Sequence, residues 1–80
     1  MSLFYLNQRL GSEFIPDEEG ADFGSLEDAR CEAIAAARET MARMILTGRL
    51  DLGATFEILG PEGPPSLVVP FSDALVIVGM

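Results

Sequence analysis

The chain has 80 residues, of which 49% are hydrophobic, and its net charge is −8 with no histidine and no lysine. This length predicts one domain over residues 1–80 with a marginal core, and the surplus of apolar residues indicates self-association. The negative charge disfavours nucleic acid and anionic membranes, because phosphates are bound by clustered Lys and Arg, whereas a basic protein would be attracted.

Two short strands are predicted at the N-terminus. The aromatic run SLFYLNQ favours a first strand, Gly11 permits a tight turn, and EFIP favours a returning strand. Pro16 has no N–H to donate, so we expect it at the end of the second strand or on a sheet edge. Residues 17–24, DEEGADFG, are predicted to form a loop.

A long amphipathic helix is predicted from about Leu26 to Thr47. Ser25 is suited to its N-cap and Gly48 to a left-handed C-cap. At 100° per residue, one broad apolar stripe contains Leu26, Ala29, Ala33, Ile34, Ala37, Met41 and Met44. The alanines of this stripe predict a helix that lies close to a sheet.

Arg30 falls inside the apolar stripe of the predicted helix. One interpretation is that its stem packs while its guanidinium reaches solvent. The other is that the guanidinium turns back to a carboxylate of residues 17–22 and fixes that loop to the helix. Both interpretations make Arg30 structural.

Two further strands, ATFEIL and SLVVPF, are predicted after the helix, with the stiff turn GPEGPP between them. Pro70 favours an edge or a bulge for the second of these strands. SDAL is predicted to be a turn or a helical corner, and VIVGM a strand continuation or a fifth strand. The order predicts an α+β fold, ββαββ, with a small, mainly antiparallel sheet and one long helix packed on one face.

One helix can cover only one face of such a sheet. Phe4 and Leu6 point to one face, and Leu3 and Tyr5 to the other. Apolar residues therefore lie on both faces, as in strands that are buried on both sides. We expect a second copy of the chain to cover the second face, which predicts a homodimer or larger assembly.

Four carboxylates crowd into the loop before the helix. Hard divalent cations prefer several carboxylate oxygens, so the candidates for a metal site are Asp17, Glu18, Glu19 and Asp22. Their spacing does not match an EF-hand loop. The alternative, which we favour, is a solvated loop whose charge limits aggregation, and it leaves the protein without a metal or other cofactor.

The composition disfavours catalysis. Without histidine or lysine, the commonest general bases, the Schiff-base nucleophile and the usual zinc sites are absent. Cys31 has no histidine partner, and we expect it to be a buried, inert small hydrophobe. No glycine-rich phosphate loop is present. The prediction is a protein that is not an enzyme and has no catalytic or cofactor-binding residues.

The remaining sequence signals concern the compartment. Cys31 is the single cysteine, so an intrachain disulfide is excluded. The longest apolar runs are far shorter than the roughly 20 residues of a membrane helix. The N-terminus lacks a basic segment followed by an apolar stretch, so we expect no signal peptide and a cytoplasmic protein.

Five segments together resemble a known family: LFYL, IPDEEGADF, SLEDARCEA, FEILGPEG and LVVPFSDAL. They are similar to an uncharacterised domain-of-unknown-function family of short bacterial proteins, with an aromatic first strand, a DxEG-like loop, an Ala-rich helix and a VPFxDAL-like ending. The chain departs from it at Gly24-Ser25, where an acidic cap is commoner, and at the proline-rich turn. The resemblance implies no activity, cofactor or catalytic residue.

Three functions follow as hypotheses. The first is a small acidic non-catalytic protein that acts as a homo-oligomeric interaction or regulatory module. The second is an acidic antitoxin-like or inhibitor-like binder of a basic protein partner, which rests on charge and on fold-level analogy. The third is a protein that binds a divalent metal or a small ligand through the acidic 17–22 loop.

Overall fold

The computed structural model describes residues 1–79. The chain forms β1 (Ser2–Leu10), β2 (Glu13–Ile15), β3 (Ala21–Phe23), helix α1 (Leu26–Leu46), β4 (Thr55–Leu59), β5 (Leu67–Pro70) and a 3₁₀ helix (Phe71–Ala74). The α+β prediction is confirmed, with one long helix packed on an antiparallel sheet.

The sheet is organised around β1 and β4, which pair with each other at its centre. Its strand order is β2-β1-β4-β5, and β3 pairs with β1 on the same edge as β2. The strand β2 pairs with residues 8–10 of β1, and β3 pairs with residues 2–4. The return from β1 is therefore one strand interrupted by residues 16–20.

This interruption corrects the predicted element order. Residues 17–24 were predicted to be one loop, yet residues 21–23 form β3, so the sheet has five strands. The sequence ADF is too short to show a strand period, and its pairing with β1 depends on a contact that local sequence does not encode. Pro16 follows the last residue of β2, as predicted.

The core lies between α1 and the sheet. Three alanines of the helix are fully buried, Ala29, Ala33 and Ala37, and Met41 is 2% exposed. Small side chains at one-turn spacing let the helix axis approach the sheet closely. From the sheet and the 3₁₀ helix, the buried side chains that meet this stripe are Phe4, Phe56, Ile58, Val69, Phe71 and Ala74.

Both helix ends follow the predicted chemistry. The Ser25 hydroxyl accepts a hydrogen bond from the Asp28 N–H at 3.1 Å, which satisfies one of the free N–H groups of the first turn. At the other end Gly48 has φ +83°, and its N–H donates to the Ile45 carbonyl at 2.9 Å. The helix ends there because glycine takes this conformation without steric cost.

The C-terminal segment, defined as residues 75–79, differs from its prediction. VIVGM was predicted to be a strand, but residues 75–79 have no regular secondary structure, and Met80 lies outside the described residues. The helical corner predicted at SDAL is present as the 3₁₀ helix, one residue earlier. The predicted edge position of Pro70 is confirmed, because β5 is the last strand of the sheet.

Candidate functional site

The loop between β2 and β3 is held by Asp17. Its Oδ2 accepts from the Leu6 N–H at 3.1 Å, its Oδ1 accepts from the Gly20 N–H at 3.0 Å, and its own N–H donates to Asn7 Oδ1 at 2.8 Å. Because β2 and β3 pair with the two ends of β1, the backbone N–H of Leu6 faces the gap between these two strands. The carboxylate of Asp17 therefore occupies the place of a missing strand neighbour.

The four predicted carboxylates do not converge on one point. Both oxygens of Asp17 accept backbone hydrogen bonds, Glu18 and Glu19 are exposed loop residues, and Asp22 lies in β3. Within residues 1–79, no group of three or more potential metal-ligating side chains comes together. The geometry gives Asp17 a structural role in closing the turn.

Arg30 faces a different carboxylate from the one considered in the sequence. Its Nη2 lies 3.9 Å from Oδ2 of Asp73, in the 3₁₀ helix, and both side chains are partly exposed. The pairing with residues 17–22 is not formed. Surface ion pairs of this kind typically contribute less than about 1 kcal/mol. A stronger tie from α1 comes from Arg38, whose Nε donates to the Ala74 carbonyl at 2.9 Å.

Cys31 was expected to be buried, and this expectation is wrong because the thiol is exposed. The reason is its helical angle. Cys31 lies two residues from both Ala29 and Ala33, which is about 200° around the helix from each of them. It therefore belongs to the solvent face of α1 with the charged residues, and it does not belong to the flank of the buried stripe.

The sheet face opposite α1, here called the open face, carries the side chains that neither helix contacts in the core. Residues paired across strands share a face, and the registers place eleven residues there: Leu3, Tyr5, Asn7, Arg9, Phe14, Asp22, Thr55, Glu57, Leu59, Val68 and Pro70. Large apolar members are well exposed, with Leu3 at 40%, Phe14 at 44% and Val68 at 54%. The open face is thus a mixed surface in which apolar side chains surround a polar centre.

That polar centre is an ion pair between β1 and β4. Arg9 Nε lies 2.6 Å from Glu57 Oε2, and the Arg9 guanidinium also stacks 4.9 Å from the ring centroid of Phe14. The hydrogen bond from Arg9 holds the pKa of the Glu57 carboxyl below its ordinary value, and the guanidinium charge acts in the same direction against partial desolvation. The pair fixes the position of both charges on the face.

We expect Glu57→Gln to flatten the acid limb of the pH–stability curve. A lowered folded-state pKa stabilises the fold above the unfolded-state pKa of about 4.3, and this contribution is lost as the pH falls through the folded value. Urea unfolding between neutral and acid pH measures this contribution. The difference in the free energy of unfolding between wild type and variant should shrink towards acid pH. Glu62→Gln, in the exposed β4–β5 turn, is the control. An equal pH dependence in wild type and Glu57→Gln would contradict the assignment.

An open cleft of about 480 Å³ lies between the start of α1 and the β4–β5 turn. Its apolar walls include Phe4, Ile58, Leu67 and Leu26. Leu26, which was predicted to belong to the apolar stripe of the helix, lines this cleft and is 46% exposed. It borders the cleft at the first turn of the helix.

The sequence did not predict two polar interactions of β1, namely the ion pair of Arg9 with Glu57 and the hydrogen bonds that Asp17 makes. The pairing of Arg9 with Glu57 joins residues 48 apart and leaves no local pattern. The bonds of Asp17 did have a signal, since an aspartate followed three residues later by a glycine is typical of a turn in which the carboxylate accepts the glycine N–H. That signal was assigned to solvation and to metal binding instead of to turn closure.

No helix within residues 1–79 combines the length and the continuous apolar character required to cross a bilayer.

Comparison with known proteins gives one family. The family model described as Domain of unknown function (DUF6894) matches residues 3–72, a range that contains the sheet from Leu3 onwards and all of α1. No curated protein and no solved structure matches the chain significantly. The resemblance to an uncharacterised family that the sequence segments predicted is thereby confirmed, and the chain belongs to the DUF6894 family, a domain of unknown function.

Proposed function

We propose that this protein is a non-catalytic interaction module that associates with a second copy of itself through the open face. The observation that carries the proposal is the exposure of Leu3, Phe14 and Val68 on a sheet face that α1 does not cover. Apolar side chains gathered on one surface are stabilised when a partner removes them from water.

Charge favours a second copy as the occupant of this face. The Arg9–Glu57 pair neutralises the centre of the open face, although the whole chain carries a net charge of −8. Two copies related by a two-fold axis would therefore present each other with paired charges and apolar rims. Carboxylates on the exposed loop, such as Glu18 and Glu19, would lie at the periphery, where solvent screens them.

We further propose that the protein works in the cytoplasm. The support is the exposed, free thiol of Cys31, which a reducing compartment preserves.

The test is the molar mass in solution. We expect light scattering on the wild-type chain to show a mass that rises from one chain to two with concentration. The double variant Leu3→Lys/Val68→Lys should remain monomeric, because it places two charges in the apolar rim while reducing the net negative charge. A loss of association in this variant thus could not be attributed to a larger net-charge repulsion between the copies; it would reflect the cost of placing charged groups in the apolar contact.

The matched control is Ile45→Lys/Leu46→Lys, at the end of α1. These residues are 61% and 86% exposed, so the variant introduces the same charges at apolar positions outside the open face. We expect it to associate like the wild type. A wild-type mass of one chain at every concentration, or equal effects of the two double variants, would overturn the proposal.

A further inference from the structure

The outer edge of β5 carries free backbone groups. The Phe71 N–H donates to the Ala54 carbonyl at 2.9 Å, and hydrogen-bonded and non-hydrogen-bonded pairs alternate along an antiparallel ladder. In this register Leu67 and Val69 are bonded to β4, whereas the N–H and C=O of Val68 and the C=O of Pro70 point outward. The nitrogen of Pro70, which carries no hydrogen, also faces outward, so the pairing of β5 with β4 loses no hydrogen bond there. The edge thus offers a strand one donor and two acceptors.

The same chain supplies a segment suited to that edge. Three consecutive β-branched residues in the C-terminal segment, Val76, Ile77 and Val78, are 90%, 50% and 81% exposed. The chain enters them with extended backbone, since Leu75 has φ −128° and ψ 150°. Such residues favour strands. Here they have the composition of a strand but no strand partner within residues 1–79.

The segment does not pair with β5 of its own chain. Between them, the 3₁₀ helix is anchored on the helix side of the sheet by the burial of Phe71 and Ala74 and by the hydrogen bond from Arg38 to the Ala74 carbonyl. The β5 edge of a second copy is free of this constraint.

Charge and area both favour a second copy as the partner. From Gly63 to Gly79 the only charged residue is Asp73, which faces Arg30, so two copies meet here without opposed carboxylates. The strands of one copy span only about 400 Å² of planar sheet, at about 3.3 Å per residue and 4.8 Å between strands. Standard interfaces bury about 800 Å² per partner, so the open face gains from an additional contact.

We propose that the C-terminal segment of one copy adds as a strand to the β5 edge of a second copy, with its hydrogen bonds centred on Val68. The inference rests on the proposed self-association and specifies how part of it is made. Main-chain bonds would supply affinity, as in other cases of strand addition.

The experiment measures both the association and the strand. The variant Ile77→Pro/Val78→Pro removes the N–H groups from both sides of a strand formed by the segment, and it changes exposed residues outside the core. We expect its dimer dissociation constant to be at least about tenfold weaker than that of the wild type, which corresponds to about 1.4 kcal/mol. The control Ile77→Thr/Val78→Thr keeps β-branching and the N–H groups, so it should weaken the association of the two copies less than the proline variant does.

Hydrogen exchange of the Val68 amide, followed by NMR, provides the second readout. In the wild type we expect the protection of the Val68 amide to rise with concentration together with that of alternate amides within residues 76–78, because only every second residue of an added strand faces the edge. In the proline variant we expect the protection of Val68 to stay flat. A dimer that is unaffected by the prolines, with unprotected Val68, would overturn strand addition and leave self-association through the open face standing. A wild type that is monomeric throughout would overturn both proposals.

Discussion

Gly20→Ala is expected to lower the free energy of unfolding by about 2–5 kcal/mol. Gly20 has φ +69°, a conformation that costs a residue with a Cβ about 1–2 kcal/mol. A Cβ added there would lie 2.9 Å from the carbonyl oxygen of Phe4 and 3.0 Å from side-chain atoms of Leu3 and Tyr5. The Phe4 oxygen belongs to the backbone of a central strand, so it cannot move away without disturbing the sheet, which adds about 1–3 kcal/mol.

Gly11→Ala is the matched control for Gly20→Ala. Gly11 has φ +62°, and a Cβ at this position would meet no atom within 4 Å. The two variants share the conformational cost, so the difference between them measures the close approach of the turn to β1. Urea unfolding followed by circular dichroism gives both values. Equal losses would show that the turn does not press against β1 as described.

Phe71→Ala is expected to cost about 3–5 kcal/mol, which approaches the whole stability of a small domain. Phe71 is fully buried, and its ring stacks on that of Phe56 with centroids 5.2 Å apart. It also begins the 3₁₀ helix on which α1 packs. Removing the ring leaves a cavity between the sheet and α1, and the neighbouring alanines of α1 are too small to fill it.

Phe14→Ala provides the comparison for Phe71→Ala. Phe14 is 44% exposed on the open face, so the same truncation should cost little at concentrations where the protein is monomeric. Thermal and urea unfolding of both variants at low concentration measures the contrast. A loss for Phe71→Ala no larger than that for Phe14→Ala would contradict its place in the core.

The helix was predictable because its signals are local and agree with one another. Ser25, the alanines spaced by one turn, and Gly48 each act within a few residues, and the structure has α1 within one residue of the predicted end. The long strands were predictable for the same reason, from runs of aromatic and β-branched residues. The order of these elements along the chain was predictable from the same signals, and the structure adds β3 between β2 and α1.

The remaining features depend on contacts between distant parts of the chain. The strand β3 exists because β1 is long enough to pair with two short segments, and Arg30 meets Asp73 because the 3₁₀ helix returns beneath α1. Neither contact leaves a pattern in the neighbouring residues. The position of Cys31 was predictable from its helical angle. That of the open face was partly predictable, since Leu3 and Tyr5 alternate with Phe4 and Leu6.

The position of Pro70 limits what can grow from this sheet. An exposed edge with a full set of donors is a template for fibrils, because each added strand presents an identical edge to the next. Here the proline ring removes the outward donor at the end of β5, only two residues from Val68. We therefore expect this edge to suit one short added strand better than the long, regular ladder that open-ended amyloid growth requires.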